Sequence, residues 1–370
     1  MKKIWIKATK YWKFIVIYTL IILLLNLLAQ WESFCDFYTD HIFGLWSDTY
    51  SRLTGLFPFS VGEVFIVLAI FTVLVVLILL VLLPLFHKKE KFYRVFTVYM
   101  KGWLVFLLSV LFIMTLNCSI LYHCSRLSVN GNGEKTYTVK ELEILRNYIV
   151  AQCNERYLQM ERDENSNVVY QGDADAVIKS AMHSLASEYP RLSGYYPDIK
   201  RMWGSYFMYQ SGYTGVYFPF SMEANCNKYI NDLFYGKTAC HEFSHLKGYI
   251  YEDEAEFISY LACASSGDVW LQYSGYIGVL DYVDGDYSDS VDEDTYLAQP
   301  RIDQQVYLDN TCYNEDVIEE VSEQSSFISD EAIEAYSEGF TEAYLDYYGA
   351  EANYSEVTLL LLQYYDGILY

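Results

Sequence analysis

Three long apolar stretches dominate the hydrophobic pattern in the first third of the chain. Residues 14–31, 64–86 and 102–125 contain no Lys, Arg, Asp or Glu. A helix that crosses a bilayer takes roughly 17–25 residues, and each stretch has about that length. The pattern therefore predicts three transmembrane helices with short connections over residues 1–125.

The first stretch also fits a signal peptide, since five lysines precede it. The residues around its end, Leu28 to Glu32, make a poor small-residue cleavage site. Two further apolar stretches follow, so we expect the first to remain as a membrane helix.

Basic residues set the expected orientation. Five lysines precede the first stretch and five basic residues lie between 88 and 101, whereas the connection between the first two stretches contains only Arg52. Cytoplasmic connections carry an excess of Lys and Arg. We therefore expect a multi-pass protein of the cell membrane, in contact with the lipid bilayer. Its N-terminus would lie in the cytoplasm and residues 126–370 would be extracytoplasmic.

After residue 125, apolar positions recur mostly with helical spacing. Thr138 and Glu141 form a capping box at the start of the first of these helices. Residues 215–220 instead predict a β-strand in which Pro219 marks a sheet edge, and the acidic stretch 281–294 predicts a solvated loop. Further helices are predicted over residues 173–187, 237–248, 252–264, 314–324, 328–345 and 354–366.

Charge is divided unevenly along the 370 residues, whose formal net charge is −23. Residues 1–122 carry 11 basic and 6 acidic residues, while the rest of the chain carries 14 and 42. So acidic a domain repels phosphate backbones, which excludes nucleic acid as a partner. The eight cysteines contain no Cys-x-x-Cys pair, so a cysteine zinc site is not expected.

The segment 241–245 reads His-Glu-Phe-Ser-His and fits the H-E-x-x-H pattern of zinc hydrolases. His241 and His245 are four residues apart, so they share one helical face and suit two ligand positions of a tetrahedral Zn²⁺ site. Glu242 lies between them, where it can take a proton from a zinc-bound water. These residues predict a zinc site with Glu242 as the catalytic base.

A third protein ligand is needed, and two patterns compete for it. In the extended H-E-x-x-H-x-x-G-x-x-H pattern the ligand falls six residues after the second histidine, where this chain has Tyr251. The other pattern takes a glutamate from a following helix. At about 100° per residue, Glu252 and Glu256 share one face of that helix while Glu254 points away.

We therefore predict Glu252 as the third ligand. Glu256, one turn further on, could accept a hydrogen bond from a ligating imidazole. The competing interpretation is that these acids form only the negative first turn of a helix, where the helix dipole favours them. Beside the H-E-x-x-H pattern, the ligand interpretation is favoured.

Several segments carry a family resemblance. With the three apolar stretches, residues 215–225 (GVYFPFSMEAN), 238–245 (TACHEFSH), 252–257 (EDEAEF) and 272–276 (QYSGY) resemble a bacterial membrane family called the domain of unknown function 3810 family. Its pattern ends Glu-Asp-Glu-Ala-Asn where this chain has Glu256, which affects the role proposed for that residue. A more distant resemblance to zinc peptidases with Glu-x-x-Ala-Asp or Glu-x-x-Ala-Asn implies Glu252 as the ligand.

The sequence thus predicts a membrane α-helical N-terminal region over residues 1–125 and an α+β, mainly helical, zincin-like extracytoplasmic domain over residues 126–370. The expected activity is zinc-dependent hydrolysis of a peptide or protein substrate, with residues 215–220 holding it as an added strand. Tyr249, Tyr251 and Tyr260 are candidates for stabilising the oxyanion. One alternative is a zinc-stabilised binding or sensory module without turnover, and another is a membrane scaffold in which the motif is only a helical pattern.

Overall fold

The structure is a computed structural model that describes residues 2–129, 135–323 and 355–370, together with 329, 332–333, 335–339, 341 and 343. The named helices of these residues are α1 (Lys2–Leu28), α2 (Glu32–Tyr38), α3 (Gly44–Thr54), α4 (Val61–Phe86), α5 (Glu90–Met114), α6 (Val139–Arg156), α7 (Ala174–Ser184), α8 (Ser205–Gln210), α9 (Asp232–Leu246), α10 (Glu252–Ala264), α11 (Val269–Ser290), α12 (Glu293–Leu297), α13 (Gln304–Asp309), α14 (Glu315–Ser322) and α15 (Ser355–Tyr365). The strands are β1 (Lys200–Arg201), β2 (Gly215–Phe218) and β3 (Glu223–Cys226). The expectation of a mainly helical protein with few strands is confirmed.

Three apolar helical segments are long enough to cross a membrane, as the sequence predicts. They cover Lys10–Leu28, Val61–Phe86 and Glu90–His123. The last consists of α5 followed by a π-helical turn, Thr115–Ser119, and a short 3₁₀ turn. Most of their large apolar side chains are exposed, which suits contact with lipid rather than a protein core.

Contacts between the apolar helices fix which ends lie together. The Tyr11 hydroxyl donates to the Lys101 carbonyl at 2.9 Å, and the Asn26 amide donates to the Thr115 hydroxyl at 2.9 Å. Helices α1 and α5 therefore run in the same direction, and α4, which precedes α5 along the chain, packs beside α5 and runs the opposite way. The described basic side chains from Lys10 to Lys101 consequently gather at one end of the bundle, apart from Arg52, and the folded domain attaches at the other.

The extracytoplasmic position of the domain stays a prediction, and cysteine labelling tests this prediction. Cys312 is the one partly exposed thiol among the eight described cysteines, so a Cys312→Ser background is used. In intact cells an impermeant maleimide should label Glu164→Cys, in an exposed loop. It should label Lys89→Cys only after permeabilisation, because the lysine-rich end is expected in the cytoplasm. The opposite labelling pattern would place the domain in the cytoplasm.

The segment between the first two apolar helices belongs to the core of the domain. Cys35, Tyr38 and Phe43 are buried in one apolar cluster with residues of α6, α9 and α10. The boundary predicted at residue 125 stays a prediction, but residues 29–60 are more than a short connection. They pack with the residues that follow the third apolar helix.

Buried charges tie the domain to the apolar helices. The Glu223 carboxylate accepts from the backbone N–H groups of Val61 (3.2 Å) and Gly62 (2.9 Å), which begin α4. Glu63 in turn accepts from the backbone of residues 203 and 204. A carboxylate at a helix N-terminus satisfies free N–H groups and complements the helix dipole. The two glutamates therefore fix β3 and the loop after β1 to the start of α4.

A small sheet lies beside the helices, in the order β1–β3–β2. Strand β1 pairs with β3 in parallel, and β2 pairs with β3 antiparallel with Gly215 opposite Cys226 and Phe218 opposite Glu223. Strand β2 is thus an edge strand among the described residues and ends just before Pro219, as the sequence predicts. Its position beside α9 brings it to the motif helix.

Two predicted elements are corrected. Helix α9 begins at Asp232, not at Lys237, because the Asn231 side chain accepts from the Phe234 backbone N–H (2.9 Å) and caps the helix five residues earlier. The stretch 281–294 is not a loop, since α11 continues to residue 290. Val283 and Tyr287 are buried on one face of this helix, so packing outweighs its acidic composition.

Other predicted helices are confirmed within a few residues. The capping box at Thr138 and Glu141 forms, and the predicted helix over 252–264 is α10. The predicted helices over 314–324 and 354–366 correspond to α14 and α15. Part of the predicted helix over 328–345 lies outside the described residues, and within it residues 332–333, 335–339, 341 and 343 are helical.

Candidate metal centre

The two motif histidines lie in the last two turns of α9. The helix ends at Leu246, and Gly248 follows it with a φ of +93°, a conformation that glycine adopts readily. This turn reverses the chain, so that Glu252 begins α10 beside the end of α9. The two histidines and Glu252, which lie on successive helices, therefore meet at one place.

The structure brings His241, His245 and Glu252 together as one group that could hold a metal ion. One nitrogen or oxygen from each residue lies within 4.8 Å of the others. The Glu252 Oε2 atom is 3.1 Å from His241 Nε2 and 3.5 Å from His245 Nε2. Donor atoms of a tetrahedral site with bonds of about 2.1 Å lie roughly 3.4 Å apart, so the spacing suits such a site.

The remaining nitrogens of the two imidazoles have acceptors of their own. His245 Nδ1 lies 2.8 Å from the Tyr249 carbonyl oxygen, and His241 Nδ1 lies 2.9 Å from Glu256 Oε2. Because a carbonyl can only accept, Nδ1 of His245 carries the proton, and its Nε2 lone pair faces the group. A ligating histidine commonly donates its other N–H to a carboxylate or carbonyl in this way.

Charges around Glu256 keep it ionised in its buried position. Burial alone would raise the pKa of Glu256, but Lys237 and His241 together lower it to about 2. The Lys237 ammonium lies 3.4 Å from the Glu256 carboxylate. Burial also opposes the charged form of Glu252, yet His245 and His241 bring its pKa below the usual range.

The Glu242 carboxylate is buried beside this group, and one of its oxygens has no partner in the part of the chain that the structure describes. Its Oε2 atom makes no hydrogen bond among the described residues. Burial raises the pKa of Glu242 to about 7, although His241, His245 and the backbone N–H of Tyr217 favour the charged form. An unpaired buried carboxylate oxygen is costly, and it is the kind of atom that a metal-bound water or substrate group would satisfy.

Strand β2 lies directly against this carboxylate. A Cβ atom added to Gly215 would lie 2.5 Å from Glu242 Oε1 and 2.8 Å from Thr238 Cγ2. The Asn227 N–H donates to the Thr214 carbonyl, so Thr214 is hydrogen-bonded to β3 through its backbone. Along an antiparallel strand, residues bonded to the partner strand alternate with residues whose backbone groups point away from it. The N–H and C=O groups of Gly215 and Tyr217 therefore point away from β3, toward the side of the strand where the Tyr217 N–H donates to Glu242.

Gly215→Ala should displace Glu242, because the added methyl group has no space. If turnover depends on Glu242, we expect it to fall about 100-fold, as for a misplacement of about 1 Å, while the metal content is unchanged. Gly285→Ala is the matched control, since a Cβ there meets nothing within 4 Å. Equal turnover in both variants would mean that the close approach of β2 has no role.

The three tyrosine candidates for stabilising an oxyanion are directed elsewhere. The Tyr251 hydroxyl donates to the Tyr122 carbonyl (2.6 Å), and the Tyr260 hydroxyl pairs with that of Tyr365 (2.6 Å). Tyr249 contributes its backbone carbonyl to His245, and its ring lies under the Arg191 guanidinium. An oxyanion donor is therefore not found among these three in the present conformation.

Two contacts at the group, those of the Lys237 ammonium and of the Tyr249 carbonyl, escaped the sequence analysis. Lys237 lies four residues before His241 on the same face of α9, so helical spacing alone could have found it. Close packing with α11 leaves little room for Lys237, since a Cβ on Gly278 would lie 2.6 Å from Lys237 Cδ. The Tyr249 carbonyl could not have been found, because it depends on the turn between the helices.

The apolar helices are long enough to span a membrane, and the mainly helical domain contains the His–His–Glu group. These features are consistent with a membrane-associated protein that has a candidate metal centre. The chain belongs to the family described as "Protein of unknown function (DUF3810)", which matches residues 38–362. That confirms the resemblance seen in the sequence. No curated protein and no solved structure matched the chain. The roles predicted for the individual site residues stay predictions.

Proposed function

We propose that this protein is a membrane-anchored, zinc-dependent peptide hydrolase. The observation that carries the proposal is the buried Glu242 oxygen that no described residue pairs with, beside His241, His245 and Glu252. Two imidazoles and one carboxylate are a ligand set of catalytic zinc sites, which leave a fourth position for water or substrate. A purely structural site has no need of an adjacent buried base.

When bound, Zn²⁺ would polarise the scissile carbonyl and make its water more acidic. Glu242 accepts the proton of the attacking water and later delivers it to the nitrogen of the leaving amine. Glu256 and the Tyr249 carbonyl hold the two imidazoles in the tautomer that leaves Nε2 free. The outward N–H and C=O groups of Gly215 and the outward carbonyl of Tyr217 bind the substrate as an added antiparallel strand.

Metal analysis and a cleavage assay on the purified full-length protein test the proposal. We expect about one zinc ion per chain, as in a catalytic site with three protein ligands, and hydrolysis of peptides in a fluorescence-quenched library. Chelation should stop the cleavage, and added Zn²⁺ should restore it, since water activation depends on the ion. Bound zinc without any cleavage would favour the binding or sensory module instead.

A further inference from the structure

The residue that precedes Glu252 of the candidate metal centre contacts the end of the third apolar helix. Tyr251 immediately precedes Glu252, and its hydroxyl donates to the Tyr122 carbonyl at 2.6 Å. The two rings also pack edge to face, with centroids 5.4 Å apart. Tyr122 closes the segment Glu90–His123, which is long enough to cross a membrane.

The distance from this contact to the lipid-exposed part of the helix is short. Leu111 is the last large apolar side chain of that segment that is exposed. The eleven residues from there to Tyr122 rise about 16 Å at 1.5 Å each. The start of α10 therefore lies close above the expected bilayer surface.

The edge strand β2 also ends near the expected bilayer surface. The Phe218 ring lies against Gly62 in the first turn of α4, where an added Cβ would be 2.6 Å from Phe218 Cδ1. The Asn117 amide of the third apolar helix donates to the Pro219 carbonyl at 2.6 Å. The end of β2 is thus held between two of the apolar helices.

Chain length limits how far the base can be from lipid. Gly215, beside Glu242, is three strand residues from Phe218, and exposed apolar side chains on α4 begin at Phe65. The path from Glu242 to lipid runs along β2 to Phe218, across the Phe218 side chain to Gly62, and along α4 to Phe65. With about 3.3 Å per strand residue and 1.5 Å per helix residue, Glu242 lies within roughly 20 Å of lipid. An extended peptide spans that distance in about six residues.

An aromatic cluster at the same end of the domain consists of the exposed Phe57 and Trp203 and the half-buried Phe59. Phe59 stacks on Trp203 with centroids 5.5 Å apart, and its ring also packs on Phe57 at 5.6 Å. Trp203 is 67% exposed although its backbone N–H is fixed by Glu63 at the start of α4. Aromatic side chains with a polar group are typical of the membrane–water interface.

We propose that the substrate is a polypeptide anchored in the same membrane, cleaved in an extended segment within about ten residues of the bilayer. This inference rests on the proposed hydrolase function. Water adds its hydroxyl to the scissile carbonyl carbon, the C–N bond breaks, and the amine leaves with the remaining proton. Anchoring keeps such a segment at the same distance from the bilayer as β2 and so raises its local concentration at the site. A soluble peptide has no such advantage.

The test compares three forms of one quenched peptide library with full-length protein in phosphatidylcholine vesicles. The first form is free. The second carries two acyl chains and a spacer of about eight residues, and the third carries the same acyl chains and a Gly/Ser spacer of about 40 residues. We expect the short-spacer form to be cleaved at least about 10-fold faster than the free form, by local concentration. The long spacer, with a mean span of roughly 35 Å, should be slower than the short one.

The outcomes separate this inference from the proposed function. If the free or the long-spacer form is cleaved as fast as the short-spacer form, the inference is overturned while the hydrolase stands. If no form is cleaved by zinc-loaded protein, the hydrolase is overturned and the inference with it.

A measurement without turnover tests the position of the site. In the Cys312→Ser background, a fluorophore on Trp203→Cys should be quenched by lipids that carry a nitroxide at the headgroup. The same fluorophore in vesicles of unlabelled lipid is the reference. Absence of quenching would place this end of the domain away from the membrane and overturn the inference, whatever the cleavage assay shows.

Discussion

Replacing Glu242 by Gln is expected to abolish most hydrolysis without removing the metal. The substitution preserves the size of the side chain and its position on α9, but an amide cannot accept the proton of the attacking water. Positioned general bases contribute roughly 10²–10⁴-fold. We therefore expect turnover to fall by about that factor, while zinc content, measured on the folded protein, stays that of the wild type.

Glu254→Gln is the matched control for this experiment. Glu254 is also a buried glutamate whose pKa burial raises to about 7. Its carboxylate, however, accepts from the Leu127 backbone N–H (2.8 Å) and pairs with Arg126, away from the His–His–Glu group. This variant should keep its turnover. Wild-type turnover in Glu242→Gln would show that another group is the base.

The second large effect concerns the metal itself. Glu252→Gln replaces the one anionic donor of the group by a neutral amide, so affinity for Zn²⁺ should fall sharply. Loss of a residue that only orients a ligand typically costs about 10–100-fold in metal affinity, which is the effect expected of Glu256→Gln. Glu252→Gln should exceed it, and competition with a chromogenic chelator measures both.

Glu254→Gln again provides the comparison, since it lies two residues from Glu252 on the opposite side of α10. Its zinc affinity should equal that of the wild type. If Glu254→Gln weakened binding and Glu252→Gln did not, the ligand would come from the other face of the helix, and the group seen in this conformation would not be the metal site.

The sequence predicted most of what lies along single elements. Helix phase alone separated Glu252 and Glu256, which both lie beside His241, from Glu254, which contacts Arg126. The apolar helices and the edge strand were equally visible, because their patterns are local. The family was also recognised from short segments of the chain.

What the sequence did not predict depends on contacts between distant parts. The continuation of α11 through its acidic stretch relies on buried partners such as Arg146, whose guanidinium lies 2.8 Å from Asp284. The role of Glu223 as a cap on α4 joins residues 161 positions apart. No local pattern encodes such pairs, so the closeness of the site to the apolar helices emerged only from the fold.

The burial of residues 29–60 in the core of the domain bears on where the protein can act. Lys247, directly after α9, donates to Asp48 of α3 at 2.7 Å and to the Tyr195 carbonyl at 2.9 Å, and its side chain is almost fully buried. Removing one partner of such a buried pair typically costs about 3–5 kcal/mol. A protease that severed the chain after the third apolar helix would strip the domain of this support. Such a cut leaves residues 29–60 with the apolar helices, so a soluble form released by it would lack part of its core and is expected to be unstable.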